Sequence, residues 1–270
     1  KVEAAGGRVI SQFGDLPPSD DPLIVSMHLP SVELREMVDD TSESRAKFVT
    51  ETVTSADSVQ AQLAKRFASD KKIGPLLAAA YGKGREQLTF ADIADSLASF
   101  IRHEFRIRPT SLERFAFEGG PISDEQLAGG ILFYGRGRCV SCHGGPYFSD
   151  FGFHAVAFPQ TGFGKNGFGM DEGRYNVTQD PKDRYLFRTP PLYNVAKTAP
   201  YSHSGSVTTI QDAIVAHFDP LRLRDTSAMT VRERAALYAR LGPAANEPLP
   251  SPLTDDEVRQ LAVFMTMLEF

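Results

Sequence analysis

Apolar residues recur at intervals of three and four along much of the chain, a spacing typical of amphipathic helices. One such series begins after Asp57 and includes Val59 and Leu63. Side-chain caps mark the starts of others: Ser123 is followed three residues later by Gln126, the pattern of a capping box. Together these signals predict helices at 31–38, from 57 onward, and at 90–106, 124–134, 209–218, 231–241 and 254–267.

Three stretches lack this periodicity. Residues 1–56 are rich in Gly, Pro and Asp and predict irregular chain around one short helix, and 106–118 predicts a polar connector. Residues 144–206 are rich in glycine and predict long loops with one short hairpin. Loops of that length are unusual in a compact domain, but wrapping a large flat cofactor would account for them. The sequence therefore predicts a mainly α fold with little sheet.

Charge and hydropathy exclude two classes of partner. The 270 residues carry a net charge of −5 and contain no basic tract, which argues against nucleic-acid binding. No apolar run approaches the roughly 18 residues that a membrane span needs. The chain opens with Lys1-Val2-Glu3 and shows no signal peptide, so we expect any targeting segment to be removed or to lie outside this sequence.

The two cysteines of the chain fall in one motif, Cys139-Val140-Ser141-Cys142-His143, which is the attachment pattern of c-type haem. This spacing lets both thiols bond the haem vinyl groups while the histidine supplies a nitrogen to the iron. Two alternatives stay open: a thioredoxin-like dithiol, which normally follows a strand in a βαβ unit, and a structural zinc site, which needs four ligands. Covalent haem attachment would imply an oxidising, extracytoplasmic compartment.

Three later segments carry a resemblance to a known family. They read DEGRYNVT at 171–178, FRTPPLYNVA at 187–196 and TAPYSHSGS at 198–206. With the closing LTDDEV at 253–258, they resemble the C-terminal haem domain of the bacterial dihaem cytochrome c peroxidase and MauG superfamily. The resemblance implies two all-α cytochrome c folds, each with its own haem.

The resemblance also implies a domain organisation. Residues 119–270 would form a C-terminal cytochrome c domain that binds one haem c, and 1–118 a partial N-terminal domain without a haem motif of its own. The simplest account is that the chain begins partway through a dihaem protein, so that a second haem is expected in the full-length protein. A genuine single-haem relative is the rival account.

The family's active-site Glu lies in an acid–Met pair beside the peroxidatic haem, where it handles the protons of peroxide cleavage. Glu36 and Met37 match that pair, although Ser26 stands where a Gln is usual. The resemblance therefore implies that Glu36 is catalytic. Glu33 is the alternative, and a solvated helix position is the non-functional interpretation of Glu36.

The resemblance further implies ligands for metal ions. The family holds calcium through backbone carbonyls of a Thr-x-Pro segment, which matches Thr198 and Pro200. The sixth ligand of the haem iron lies nineteen residues beyond that Thr, and His217 occupies the position. It shares one face of its predicted helix with apolar residues and is expected on the buried side. Met170, in the glycine-rich loop, is the alternative ligand.

Two arginines border the predicted haem-wrapping loops. Buried haem propionates need cationic partners, and the planar guanidinium group suits carboxylates. Arg174 and Arg188 are therefore candidate haem-binding residues, with ordinary surface ion pairs as the alternative.

The resemblance implies a periplasmic c-type haem oxidoreductase, able to form a homodimer. Electrons from a small redox protein would pass through the His143 haem to reduce hydrogen peroxide, or a partner protein would be oxidised. MauG enzymes use a Trp between the haems, and this chain has no Trp, which argues against a close MauG equivalent. The alternative function is a monohaem electron-transfer protein without peroxidase activity.

Overall fold

The computed structural model describes residues 3–5, 8–10, 19–31, 56–160, 171–245 and 251–270. The chain divides into two compact units, Lys1–Arg106 and Ile107–Phe270, a division earlier than the boundary after residue 118 that the resemblance implies. The described elements are mostly helices joined by loops and short 3-10 turns, so the predicted mainly α fold is confirmed. Within these ranges, no helix is long and apolar enough to cross a membrane.

Among its described residues, the first unit is helical apart from one short strand pair. Helix α1 was not predicted: Asp21 caps it by accepting a hydrogen bond from the Leu23 amide at 2.9 Å, and Pro22 takes the first helical position. The helix predicted at 31–38 lies, except for Ser31, outside the described residues. The elements are β1 (Glu3–Ala5) and β2 (Arg8–Ile10), which pair antiparallel, and α1 (Pro22–His28), α2 (Ala56–Ser69), α3 (Ile73–Tyr81) and α4 (Phe90–Glu104).

Apolar residues at helical spacing build the core of this unit. Val59 and Leu63 of α2 are buried against Phe90 and Ile93 of α4, as their spacing predicts. Helix α4 begins at Phe90, as predicted, after the cap residue Thr89, whose amide donates to the Asp92 carboxylate at 2.8 Å.

The second unit contains six helices and one strand pair among its described residues. Helix α6 lies along α10, which also contacts α8, and Phe133, Leu261 and Phe264 are buried between them. Gly129 allows this close approach, because a Cβ there would lie 2.8 Å from the Phe264 Cβ. The elements are α5 (Ser111–Glu118), α6 (Asp124–Tyr134), β3 (Phe153–His154), α7 (Tyr175–Thr178), β4 (Phe187–Arg188), α8 (Ile210–Phe218), α9 (Val231–Ala245) and α10 (Asp255–Met265).

The predicted polar connector at 106–118 is wrong in its second half, where α5 forms. Thr110 and Glu113 make a capping box, in which the Thr110 amide donates to the Glu113 carboxylate at 2.7 Å. The predicted capping box at the start of α6 is present, with the Gln126 amide donating to the Ser123 hydroxyl at 3.1 Å.

The described part of 144–206 consists of loops and short turns around one two-residue strand pair. Strands β3 and β4 run antiparallel, with Phe153 opposite Arg188 and His154 opposite Phe187. This pair fixes two distant loop segments to each other beside the Cys-x-x-Cys-His motif.

Candidate haem site

Helix α6 ends shortly before the Cys-x-x-Cys-His motif, and the chain then turns sharply. The Gly137 amide donates to the carbonyl of Leu132, still within α6, at 2.9 Å. A 3-10 turn, Cys139–Ser141, follows, and the His143 amide closes it by donating to the Cys139 carbonyl at 2.8 Å. The turn keeps both thiols and the imidazole close together, as attachment of one haem requires.

The burial and pKa of the cysteines bear on whether the motif is a redox-active dithiol. No disulfide joins Cys139 to Cys142, and both residues are half-buried. Burial raises the pKa of the Cys139 thiol to about 11. Redox dithiols depend on a lowered thiol pKa at the start of a helix, whereas this motif lies in a 3-10 turn that follows a helix. The environment therefore disfavours a thioredoxin-like dithiol.

His143 is oriented for metal ligation by a backbone carbonyl. Its Nδ1 lies 3.0 Å from the Phe148 carbonyl oxygen. Because a carbonyl only accepts hydrogen bonds, this contact requires the proton on Nδ1 and leaves the Nε2 lone pair for a metal ion. Burial, together with the neighbouring His217, lowers the pKa of His143 to about 4. The ring is therefore held in the neutral form that binds metals.

His217 has the same arrangement on helix α8. Its Nδ1 donates to the Ala213 carbonyl one turn earlier, at 2.7 Å, which again leaves Nε2 as the available nitrogen. Desolvation by surrounding protein atoms lowers its pKa. Ala213 and Ile214, which share its face of the helix, are buried as predicted, whereas the His217 side chain itself is accessible.

The two imidazole rings lie at a distance suited to one metal ion. Their ring centroids are 6.5 Å apart and their planes are inclined by 65°. Two imidazoles on opposite sides of one metal would have centroids about 6 Å apart, since each metal–nitrogen bond is about 2 Å long and each ring centre lies about 1.1 Å beyond its nitrogen. The Phe158 ring packs edge-on against His217, with centroids 5.4 Å apart. Two neutral imidazoles would supply the two protein ligands of a six-coordinate haem iron, and two thiols would supply the attachment points of haem c, so the residues present fit that group.

Comparisons with known proteins show which proteins this chain resembles. No family model matches the chain. Cytochrome-c peroxidase IdrP1 of Denitromonas iodatirespirans is 33% identical over 121 residues, which are 36% of this chain and 32% of that protein. Cytochrome c551 peroxidase of Pseudomonas aeruginosa is 38% identical over 94 residues, 34% of this chain and 26% of that protein. The chain is similar to parts of proteins of the dihaem cytochrome c peroxidase and MauG superfamily.

Other members of the superfamily match a larger part of the chain. Methylamine utilization protein MauG of Methylorubrum extorquens is 26% identical over 145 residues, 53% of this chain and 38% of that protein. A MauG-like protein associated with microbial copper homeostasis aligns with a TM-score of 0.58 at 23% identity, covering 79% of this chain and 63% of its own. The diheme peroxidase BthA of Burkholderia thailandensis aligns with a TM-score of 0.57 at 21% identity, covering 80% and 59%. The structural matches establish a shared fold, and the matched segments span a quarter to two fifths of these curated relatives.

Of the other site residues that the resemblance implies, the structure describes only the two of the calcium segment. Glu36, its alternative Glu33 and the rival ligand Met170 lie outside the described residues. Thr198 and Pro200 are exposed at the end of a short 3-10 turn, where the Thr198 hydroxyl donates to the Val195 carbonyl at 3.2 Å. Their calcium role stays a prediction.

The two arginines predicted to bind haem each have a neighbour within the protein. Arg174 donates from Nε to the Asp183 carboxylate at 3.0 Å and stacks over the Phe153 ring at 4.2 Å. Arg188 is exposed and stacks over the Phe151 ring at 4.9 Å. These contacts resemble the surface pairing that the sequence left open, and haem binding by either residue stays a prediction.

One further group of donor atoms lies beside the motif. Cys142, Asp150 and His154 place their ligand atoms within 4.8 Å of one another, and His154 Nε2 lies 2.8 Å from the Asp150 carboxylate. Three donors are fewer than the four of a structural zinc site. Haem attachment would also consume the Cys142 thiol, so the two uses exclude each other.

Proposed function

We propose that this chain carries one haem c, attached to Cys139 and Cys142 and ligated by His143 and His217, as the electron-transferring haem of a peroxidase-type oxidoreductase. The observation that carries the proposal is the close pair of imidazoles, one of which belongs to the Cys-x-x-Cys-His turn. Each ring has its Nδ1 bonded to a backbone carbonyl and its Nε2 available, and the centroids are 6.5 Å apart.

The residues of this site would orient the iron ligands and tune the reduction potential of a bound haem, and they would not react themselves. When bound, haem supplies one-electron redox chemistry, with a potential set by its axial ligands and its burial. The Phe148 and Ala213 carbonyls fix the tautomer and direction of the two imidazoles. Two protein ligands would fill both axial positions, whereas catalytic metal ions keep one open. We therefore assign electron transfer to this site.

Peroxide chemistry would then take place at a second haem outside this sequence. The names of the curated relatives support reduction of hydrogen peroxide, with Glu36 handling protons there, and MauG among them supports oxidation of a partner protein as the second form of the reaction. The same names favour a peroxidase over the monohaem electron-transfer alternative. A small redox protein as electron donor, calcium at Thr198 and Pro200, a periplasmic location and a homodimer belong to the same proposal.

Haem counting tests the proposal. The chain is produced in a bacterial host that matures c-type cytochromes, and a pyridine haemochrome assay is expected to give one haem per chain. A Cys139→Ala/Cys142→Ala double variant is the haem-free control. Absence of covalent haem from the unmodified chain would overturn the proposal.

Two further measurements separate the peroxidase from the alternative. Intact protein from its native source is expected to carry two haems, whereas one haem would support the monohaem protein. Residues 1–270 alone are expected to turn over hydrogen peroxide weakly or not at all. Turnover equal to that of a complete dihaem enzyme would show that the His143 haem itself reacts with peroxide.

A further inference from the structure

A tight loop follows the Cys-x-x-Cys-His motif and contains the carbonyl that orients His143. The Phe148 carbonyl accepts a hydrogen bond from His143 Nδ1 at 3.0 Å. Phe148 itself lies in the left-handed region, with a φ of 51°, and its side chain is buried. A bulky residue rarely adopts this conformation, and it persists only where surrounding contacts fix it. The contacts that hold Phe148 therefore decide whether His143 keeps its hydrogen bond.

Aromatic packing fixes the side chain of Phe148 but not its carbonyl. The ring packs edge-on against Phe133, with centroids 6.4 Å apart, and against Tyr193, with centroids 5.5 Å apart. The carbonyl lies in the planar peptide unit whose amide belongs to Ser149. Its direction therefore depends on what the backbone and side chain of Ser149 contact.

Ser149 is buried and makes three hydrogen bonds. Its amide donates to the Gly144 carbonyl at 3.0 Å, which holds the peptide unit that carries the Phe148 carbonyl. Its hydroxyl donates to the Thr189 carbonyl at 2.8 Å and accepts from the Phe151 amide at 2.9 Å. Because a serine hydroxyl has one proton and two lone pairs, it can make both bonds at once. Ser149 thus joins the loop beside His143 to a segment forty positions further along the chain.

Backbone hydrogen bonds fix the rest of the loop on both sides. The Thr189 amide donates to the Gly152 carbonyl at 3.0 Å, just beyond the β3–β4 pair. The Asp150 amide donates to the Cys142 carbonyl at 2.7 Å, within the haem motif. The Asp150 carboxylate accepts from the Gly152 amide at 2.8 Å and lies 2.8 Å from His154 Nε2. With these ends fixed, the Ser149 hydroxyl is the side-chain group that fixes the middle of the loop, where the Phe148 carbonyl lies.

We propose that Ser149 is a positioning residue for His143: its hydroxyl holds the Phe148 carbonyl on Nδ1 and thereby lowers the reduction potential of the haem attached at Cys139 and Cys142. The proposal rests on the proposed function. A firmly held acceptor on Nδ1 raises the basicity of the ligating imidazole, and a more basic ligand favours oxidised iron. Ser149 has no contact with the metal ion in this scheme and acts only through the carbonyl and the imidazole.

Ser149→Ala in the haem-loaded chain tests this role. The variant removes the hydroxyl and leaves the Thr189 carbonyl and the Phe151 amide without this partner. The reduction potential is expected to rise. The His143 Nδ1 proton, followed by NMR, is expected to exchange with solvent about tenfold faster or more, because buried groups left unpaired favour opening of the loop by at least that factor. Ser149→Thr keeps the hydroxyl and is expected to keep the potential and exchange rate of the unmodified protein.

Thr254→Ala is the matched control for loss of stability alone. It also removes a hydroxyl that bonds a backbone amide, since the Thr254 hydroxyl accepts from the Glu257 amide at 3.3 Å at the start of α10. It is expected to lower thermal stability and to leave the reduction potential unchanged. Equal potentials in Ser149→Ala and Thr254→Ala would overturn the proposal, whatever the stabilities. A potential in Ser149→Thr as high as that in Ser149→Ala would overturn it as well.

Hydrogen exchange in the unmodified holoprotein tests the same link without a variant. If one braced loop holds these groups, the His143 Nδ1 proton and the Phe151 and Thr189 amides open together and share one free energy of opening. A His143 proton that opens far more readily than both amides would overturn the proposal, even if Ser149→Ala does not fold. A chain without covalent haem would refute the proposed function instead, which the haemochrome assay reports separately.

Discussion

Replacing Gly129 by alanine should destabilise the second unit through the contact between α6 and α10. An added Cβ would lie 2.7 Å from the Gln260 carbonyl carbon and 2.8 Å from the Phe264 Cβ, closer than real Cβ contacts come. Much of the obstruction is helix backbone, so the helices must separate. Overpacking of this kind costs about 1–3 kcal/mol, offset by about 0.5–1 kcal/mol from the better helix propensity of alanine. We expect a net loss of about 1–2 kcal/mol, which lowers Tm by roughly 2–8 °C in a domain of this size.

Thermal unfolding of the haem-loaded chain, followed by circular dichroism in the far-ultraviolet and Soret regions, measures this loss. Gly130→Ala is the matched control, because it adds the same methyl group to the same helix. There the new Cβ would meet only the Phe264 ring edge at 3.2 Å, and a side-chain ring can move aside. Gly130→Ala is expected to change Tm little. Equal stability of the two variants would refute the packing of α6 on α10 described above.

Three other predictions concern the haem ligands. His217→Met should keep a low-spin haem, add a charge-transfer band at about 695 nm and raise the reduction potential, because a thioether ligand raises that potential. A Met–iron band in the unmodified protein would instead favour Met170 as the ligand. Cys139→Ala or Cys142→Ala should abolish stable haem attachment and leave the C-terminal half poorly folded, and a folded, haem-free protein with native-like circular dichroism would contradict this. The pKa of His143 is lowered to about 4 from the ordinary histidine value of 6.5, so protons compete weakly with iron for its nitrogen. The low-spin visible spectrum should therefore persist as the pH falls well below 6.5. Conversion to high spin near about pH 6 would contradict His143 as the iron ligand.

The helix starts show how much of the fold local sequence determines. The caps at Ser123 and Thr254 depend on residues three positions apart, and both helices begin where predicted. Helix α5 was missed although Thr110 and Glu113 carry the same signal, because the polar residues around them suggested a connector. Helix α1 was missed in the same way, although Asp21 followed by proline is a helix-start pattern.

The haem motif is equally local, since five consecutive residues define it, but its second imidazole is not. His217 is 74 positions beyond His143 (217 − 143), and only resemblance to a family, not periodicity, indicated that the two rings should meet. Periodicity places His217 on one helix face with Ala213 and Ile214, and these two are buried while the His217 side chain is accessible. Helical spacing shows which residues share a face, but not what each side chain on that face will meet.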